Sequence, residues 1–207
     1  PVYLAANMMR IPVLVHEANR VVGIANKVAA RFAAFTGYTF PGTKIRGGRR
    51  IGMPMNRSIT HPELSPAEAR ARFGLDRDRP TLLVSGGSQG ARAINQTLME
   101  AVPRILAAGV QVLHVLGQKN FTEADVVIQD AGGARYVPVA YVSDMAEAYR
   151  SADLMVGRAG AGTVLETAVL GLPVIFIPLP WGNGEQARNA SGLVADGAGI
   201  LLPEAEL

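Results

Sequence analysis

The stretch "LLVSGGSQGARAIN" (residues 82–95) runs an apolar segment into a glycine cluster and then into a helix-like pattern. A strand, a glycine-rich turn and a helix, in that order, bring backbone N–H groups and the positive end of the helix dipole to one place where an anion can dock. The turn itself, "GGSQGA" (86–91), lacks the lysine of a P-loop and does not have G-x-G-x-x-G spacing, so ATP and NAD are both disfavoured. Ser88 and Gln89 can add side-chain hydrogen bonds at the same point. A tight strand-to-helix turn without a ligand is the competing reading.

Outward from this turn, short apolar, β-branched runs alternate with helical patterns, which predicts βα units and a parallel sheet. Candidate strands are "IPVLV" (11–15), "TLLVS" (81–85), "VQVLHVLG" (110–117), "DLMVG" (153–157), "PVIFIPL" (173–179) and "GILL" (199–202). Their near-continuous hydrophobicity is that of strands covered on both faces. Ile94, Leu98, Val102 and Ile105 repeat at helical spacing, and Pro103 is expected to kink or end that helix. A second helix carries Val164, Leu165, Ala168 and Val169 and is stopped by Gly171. "SPAE" (65–68) spells a capping box with proline at the first helical position, opening a short helix that ends at "FGL".

With 207 residues, 49% hydrophobic and 18% charged, the chain is of ordinary globular composition and long enough for one domain and part of a second. Cysteine is absent, which excludes a disulfide framework and a thiolate metal site, and no two histidines have metal-ligand spacing. There is no apolar run of roughly 18 residues and no signal-peptide pattern, so a cytoplasmic protein is the default. Residues 1–57 hold nine Lys/Arg against one acid, Glu17, a balance of +8; residues 58–207 hold eleven against sixteen, a balance of −5. A basic half joined to an acidic half suggests an anionic partner for the first: lipid headgroups, a pyrophosphate or nucleic acid. The alternative is a solvated basic face, since "KIRGGRR" (44–50) reads as a loop. The domain boundary is placed near residues 52–60, where the charge flips. The chain opens inside a helix-then-strand pattern without a start methionine and closes just after an apparent strand, which reads as part of a longer protein.

A second glycine turn, "GRAGAGTVLE" (157–166), again follows a strand and opens a helix. Two such turns at the carboxyl ends of strands point to the crevice where open α/β sheets bind ligands. Glu166 is expected inside the first helical turn, where a carboxylate can grip two ribose hydroxyls; Thr163-x-x-Glu166 equally spells a capping box, the reading that spacing alone favours. In "NGEQARNA" (183–190), Gln186 and Asn189 share a helical face, and neutral amides that donate and accept suit sugar hydroxyls. A polar surface helix explains them as well. In "HEANR" (16–20), His16, Glu17 and Asn19 end a strand where ligands would enter, although a structural hydrogen bond is the commoner use of such a pair. His61 reads as loop surface and His114 as a satisfied core residue.

Taken together, "HEANRVVGIANK" (16–27), "SGGSQGARAIN" (85–95), "YVSDMAEAYRSADLMVGRAGAGTVLETAVLGLPVIFIPLP" (141–180) and "GEQARNA" (184–190) resemble the MurG family over nearly the whole chain, in family order and spacing. These bacterial enzymes add N-acetylglucosamine from UDP-GlcNAc to a lipid-linked muramyl-pentapeptide. The resemblance implies an α/β fold of GT-B type, two Rossmann-like domains with parallel sheets. Residues 1–57 would be the C-terminal part of the acceptor and membrane-side domain plus linker, and residues 58–207 the donor-binding domain, incomplete at its C-terminus. It also implies inverting transfer that converts lipid I to lipid II in peptidoglycan synthesis, with no metal or cofactor. UDP-GlcNAc, the undecaprenyl-linked acceptor and an anionic membrane surface would be the partners, and nucleic acid would not. The enzyme would sit peripherally on the inner face of the cell membrane.

By the family pattern, Ser88, with Gln89 beside it, lies on the pyrophosphate side of the donor, and the backbone of Val142 meets the uracil edge. Ala161, Gly162, Thr163, Val164, Leu165 and Glu166 hold phosphate and ribose, with Glu166 on the ribose hydroxyls in preference to a cap. Gln186 meets the sugar, helped by Glu185, and Asn19 reaches it from the opposite domain. Two departures stand out. Asn56 occupies the column of an arginine that packs on uracil, with Arg57 adjacent, and the family's glycine-rich motif with its histidine, a candidate base, lies upstream of residue 1. The catalytic residue is therefore unassigned, and much of the apolar membrane-docking patch is missing. Rival readings are another UDP-sugar enzyme of GT-B type, whether a different glycosyltransferase or a 2-epimerase, and a non-catalytic nucleotide-binding module.

Overall fold

The structure, a computed structural model, describes residues 2–87 and 91–207, so Ser88 and Gln89 lie outside the described residues. Two sheets carry the chain. The first begins after α1 (Val2–Met8) and contains β1 (Leu14–Glu17), then α2 (Ile24–Ala29), then β2 (Phe35–Tyr38) and β3 (Gly48–Arg50). Its three strands are parallel in the order β1-β2-β3. The "KIRGGRR" segment, expected as a loop, thus supplies a strand: Gly48–Arg50 pair with Thr36, Gly37 and Tyr38. An edge strand needs no inward apolar side chain on both faces, so Arg49 and Arg50 can stay exposed while their backbone pairs.

Two short helices, α3 (Arg57–Thr60) and α4 (Pro66–Arg72), lead into the second sheet. The capping box at α4 forms as read: the Ser65 hydroxyl accepts from the Glu68 amide, and Glu68 accepts from the Ser65 amide. Arg70 of α4 is buried, donating to the Ser151 and Arg77 carbonyls and to both oxygens of Asp153 at 2.9 and 2.8 Å.

The larger sheet follows as β4 (Thr81–Ser85), α5 (Arg92–Ala107), β5 (Gln111–Val115), β6 (Ile128–Gln129), β7 (Arg135–Val139), α6 (Met145–Ser151), β8 (Leu154–Gly157), α7 (Ala161–Leu170), β9 (Val174–Phe176), α8 (Glu185–Ala195) and β10 (Gly199–Leu201). The strand order is β10-β9-β8-β4-β5-β7-β6, parallel throughout except for β6 against β7. From β4 the chain moves outward through β5 to β7, then returns to build β8, β9 and β10 on the other side of β4. The switch point therefore falls between β4 and β8, where such sheets open a crevice. Leu83, Leu113, Met155 and Phe176 fill the sheet interior and are essentially fully buried. The sequence reading passed over β7; Pro138 sits in it, tolerated because β6 pairs only with Arg135 and Tyr136 and forms no outer ladder there for the missing N–H to break.

Pro103 does not end α5. The helix continues to Ala107, because Ile94, Leu98, Val102 and Leu106 hold one face in the core, while the forfeited bond, to the Met99 carbonyl, lies toward solvent, where Met99 is 39% exposed. Gly171 stops α7 as read, with φ +66°, the left-handed C-cap that glycine adopts without a Cβ penalty.

Candidate functional site

At the switch point, a cavity of about 350 Å³ opens among the carboxyl ends of β4, β5 and β8 and the start of α7. Its floor requires glycine. β8 and β4 approach so closely that a Cβ on Gly157 would meet the Ser85 carbonyl oxygen at 2.7 Å. α7 then begins immediately, with Gly160 as its N-cap and no side-chain cap. The amides of Ala161, Gly162 and Thr163 are among the donors that the first turn of a helix leaves without an intrahelical partner, whereas the Val164 amide already bonds the Gly160 carbonyl at 3.0 Å. The turn thus offers an anion both hydrogen bonds and the helix dipole.

Because α7 starts at Ala161, Thr163 is inside the helix and Glu166 is its sixth residue, in the second turn. This corrects the capping reading: Thr163 is not the N-cap and Glu166 does not cap. The Glu166 carboxylate instead accepts a 2.9 Å hydrogen bond from the Tyr149 hydroxyl of α6, and both residues line the cavity. Burial in the first place, and the Glu166 charge in the second, push the Tyr149 phenol above its ordinary range, so it stays a neutral donor. Gly162 leaves room beside the carboxylate, since a Cβ there would lie 3.8 Å from Glu166 Oε1.

Val142 closes one side of the cavity with its side chain buried. Among the described residues no hydrogen bond engages its amide or its carbonyl. Ala161 and Val164 point into the core and Leu165 packs against it. Gly162 and Thr163, by contrast, line the cavity directly.

The amides of α8 divide in use. Gln186 Oε1 accepts from the Leu179 amide at 3.0 Å, fixing the loop before α8, while Glu185 is exposed at the first position of the helix. Asn189, read as a partner of Gln186 toward a sugar, is 2% exposed: its oxygen accepts from the Arg20 amide at 2.9 Å and its NH2 donates to Asn19 Oδ1 at 3.0 Å and to the Ala159 carbonyl at 3.4 Å. It clasps the smaller sheet to the larger one. Asn19 is held there too, its amide bonded to Glu17 Oε1.

His16 and Glu17 serve the local structure. His16 Nε2 lies 2.9 Å from the Gly52 carbonyl and 3.2 Å from Thr39 Oγ1, and the buried Glu17 carboxylate accepts from the Asn19 and Gly23 amides and from Asn26. Asn56 is the N-cap of α3 without a side-chain cap bond. Arg57 opens α3 and lines a different cavity, of about 290 Å³, shared with Asp144 and Arg150 rather than with Glu166.

Two residues near the cavity had no sequence signal. Tyr149 lies 17 positions from the carboxylate it binds. Met53 reaches the start of α7, its Cε 3.9 Å from where a Gly162 Cβ would be.

The solved structure of Acinetobacter baumannii MurG superposes with a TM-score of 0.72 at 31% sequence identity, over 99% of this chain and 57% of that one. A mostly parallel seven-stranded sheet whose glycine turn opens on a cavity at its switch point, joined to a second parallel sheet, defines the class: a glycosyltransferase fold of the GT-B type. The model of the glycosyltransferase family 28 C-terminal domain matches residues 81–207, and the chain belongs to that family. The Cutibacterium acnes protein named UDP-N-acetylglucosamine--N-acetylmuramyl-(pentapeptide) pyrophosphoryl-undecaprenol N-acetylglucosamine transferase is 54% identical over 215 residues, covering all of this chain. Its namesake from Streptomyces avermitilis is 48% identical over 209 residues, again covering all of this chain. The chain spans 58% and 57% of those two relatives.

Proposed function

We propose that this chain supplies the donor side, and an adjoining part of the acceptor side, of an inverting transferase that moves N-acetylglucosamine from UDP-GlcNAc to undecaprenyl-linked muramyl-pentapeptide, converting lipid I to lipid II in peptidoglycan synthesis. The observation that carries it is the cavity at the switch point, with Glu166 held by Tyr149 beside the open N-terminus of α7 and the unengaged backbone of Val142. A carboxylate suits a ribose diol, helix amides suit a diphosphate, and the Val142 main chain suits uracil. The names of relatives that match the whole chain at 46–54% identity point to the same substrates.

In this reading the muramyl 4-hydroxyl attacks the anomeric carbon while its proton passes to a base that remains unassigned, and the bond to UDP breaks with its electron pair leaving on the diphosphate. Catalysis rests on orienting two substrates and on stabilising that developing charge. The α7 N-terminus supplies part of the stabilisation, with Ser88 and Gln89 of the other glycine turn assigned to the pyrophosphate. The reading calls for no metal, no cofactor and no nucleic acid. Gln186 and Glu185 face the donor sugar, and Asn19 approaches it from the smaller sheet. No helix among the described residues is long and apolar enough to cross a membrane. The basic residues 1–57 suit peripheral contact with anionic lipid on the cytoplasmic face, each well-placed cation adding about 1 kcal/mol.

Calorimetry of UDP binding tests the donor cavity. Glu166→Ala is expected to weaken binding by about 1–3 kcal/mol, the value of a hydrogen bond to a charged group. Unchanged affinity would remove Glu166 from the site. Incubating the longer enzyme with UDP-GlcNAc, with and without lipid acceptor, separates transfer from epimerisation: sugar chemistry that proceeds without acceptor would overturn the transferase reading.

A further inference from the structure

A second concave basin, of about 300 Å³, lies on the seam between the two sheets and shares no lining residue with the donor cavity. Four cations surround it: Arg20 after β1, Lys27 of α2, Lys44 between β2 and β3, and Arg188 of α8. No acidic side chain lines it. All four cations are exposed, and none takes part in the ion pairs formed among the described residues. The one acid of residues 1–57, Glu17, is buried, accepts from two amides and Asn26, and does not line the basin.

One of these cations is held in place by three hydrogen bonds. The Arg20 amide is bonded to buried Asn189, its carbonyl accepts from Thr43 Oγ1 at 3.4 Å, and its guanidinium donates to Ser191 Oγ at 2.5 Å. Arg20 is therefore held at a set position on the basin, which Lys27, Lys44 and Arg188 also line. Bringing four like charges together costs free energy that an anion recovers. Two guanidiniums and two ammoniums match an oxyanion carrying several acceptor oxygens.

We infer that this basin binds a phosphate-class anion, either a free diphosphate or the phosphate of a lipid headgroup, independently of the donor cavity. A bound anion would bridge the smaller sheet, through Arg20, Lys27 and Lys44, to the larger one, through Arg188.

The test uses the full chain with UDP at saturation, so that the donor cavity is filled. Inorganic pyrophosphate is titrated by calorimetry, and co-sedimentation is measured with phosphatidylglycerol and with phosphatidylcholine vesicles. Lys27→Gln/Lys44→Gln is compared with Arg49→Gln/Arg50→Gln, an equal charge loss on exposed β3. If the basin takes free diphosphate, the first pair weakens pyrophosphate binding by roughly tenfold or more and the control pair does not. If it takes a lipid headgroup, the first pair selectively loses phosphatidylglycerol vesicles, and Arg188→Gln loses them too. Equal behaviour of the two double variants in both arms overturns the inference. UDP affinity, titrated separately, is expected to be unchanged in Lys27→Gln/Lys44→Gln, so a failure of the donor reading shows on a different curve.

Discussion

Lowering the pH below 6.5 should remove a calculable amount of stability through His114. The residue is on β5, fully buried, with Nε2 3.1 Å from Asn95 Oδ1 and Nδ1 3.0 Å from the Tyr136 hydroxyl. Asn95 spends its NH2 on the Leu116 carbonyl, so its oxygen must accept, and the network assigns the proton of the neutral ring to Nε2. Tyr136, pushed up to about 12 chiefly by its own burial, remains a neutral donor to Nδ1. The neutral ring satisfies both nitrogens in place, and burial, which disfavours the charged ring, lowers the His114 pKa from 6.5 to about 4. The folded value lies below the unfolded one, so the contribution is fully present above pH 6.5 and is lost as the pH falls toward 4. Linkage puts the loss at about 2 kcal/mol by pH 5 and about 3 kcal/mol by pH 4. Urea unfolding at pH 7.5, 6, 5 and 4.5 is compared in the wild type and in His114→Gln, which keeps a donor and an acceptor but does not titrate. Glu68 and Asp76, both held below the ordinary carboxylate range by local hydrogen bonds, lose their contributions on acidification in both proteins and cancel in the difference. Parallel pH profiles for the two proteins would refute the assignment.

Tyr149→Phe removes the hydroxyl that steadies Glu166 and is expected to weaken UDP binding by about 1 kcal/mol, near fivefold, while the protein stays folded. Calorimetry giving wild-type affinity would show that the carboxylate needs no such support. Gly157→Ala places a Cβ 2.7 Å from both the Ser85 carbonyl oxygen and Met155 Cε, so β8 must shift from β4. A loss of about 1–3 kcal/mol in urea unfolding is expected, and a neutral result would mean that the strand junction is more pliable than its spacing indicates.

The larger sheet was legible because its strands are covered on both faces and so are written as uninterrupted apolar runs; β4 falls on "TLLVS" at 81–85 as read. β1 was displaced, read at 11–15 and found at Leu14–Glu17, because Ile11 is exposed and the polar His16 and Glu17 belong to the strand. β3 was illegible for the opposite reason, being a three-residue edge held by backbone pairing alone. At the site, helix start and stop residues were readable, but which residue caps α7 was not. Both Gly160 and Thr163 are acceptable N-caps, and only the position of the first helical turn decides between them. The Tyr149–Glu166 bond was beyond reach, since it joins two helices whose approach is set by the core between them.

Asn189 carries the same lesson into the proposed mechanism. Three residues after Gln186 on α8, it has the same chemistry and helical face, yet the fold uses its oxygen and its NH2 internally, on Arg20, Asn19 and Ala159. What sets the two amides apart is what packs over them, since Asn189 is buried under the seam while Gln186 is only partly covered. This clasp gives Asn19 its address. Asn189, which holds the Asn19 side chain, lies three residues, some 4.5 Å of rise, along α8 from Gln186. The two residues assigned to the donor sugar from opposite sheets are thus positioned by one helix rather than by independent loops. In the proposed mechanism Asn189 therefore acts by positioning Asn19 rather than by touching the sugar.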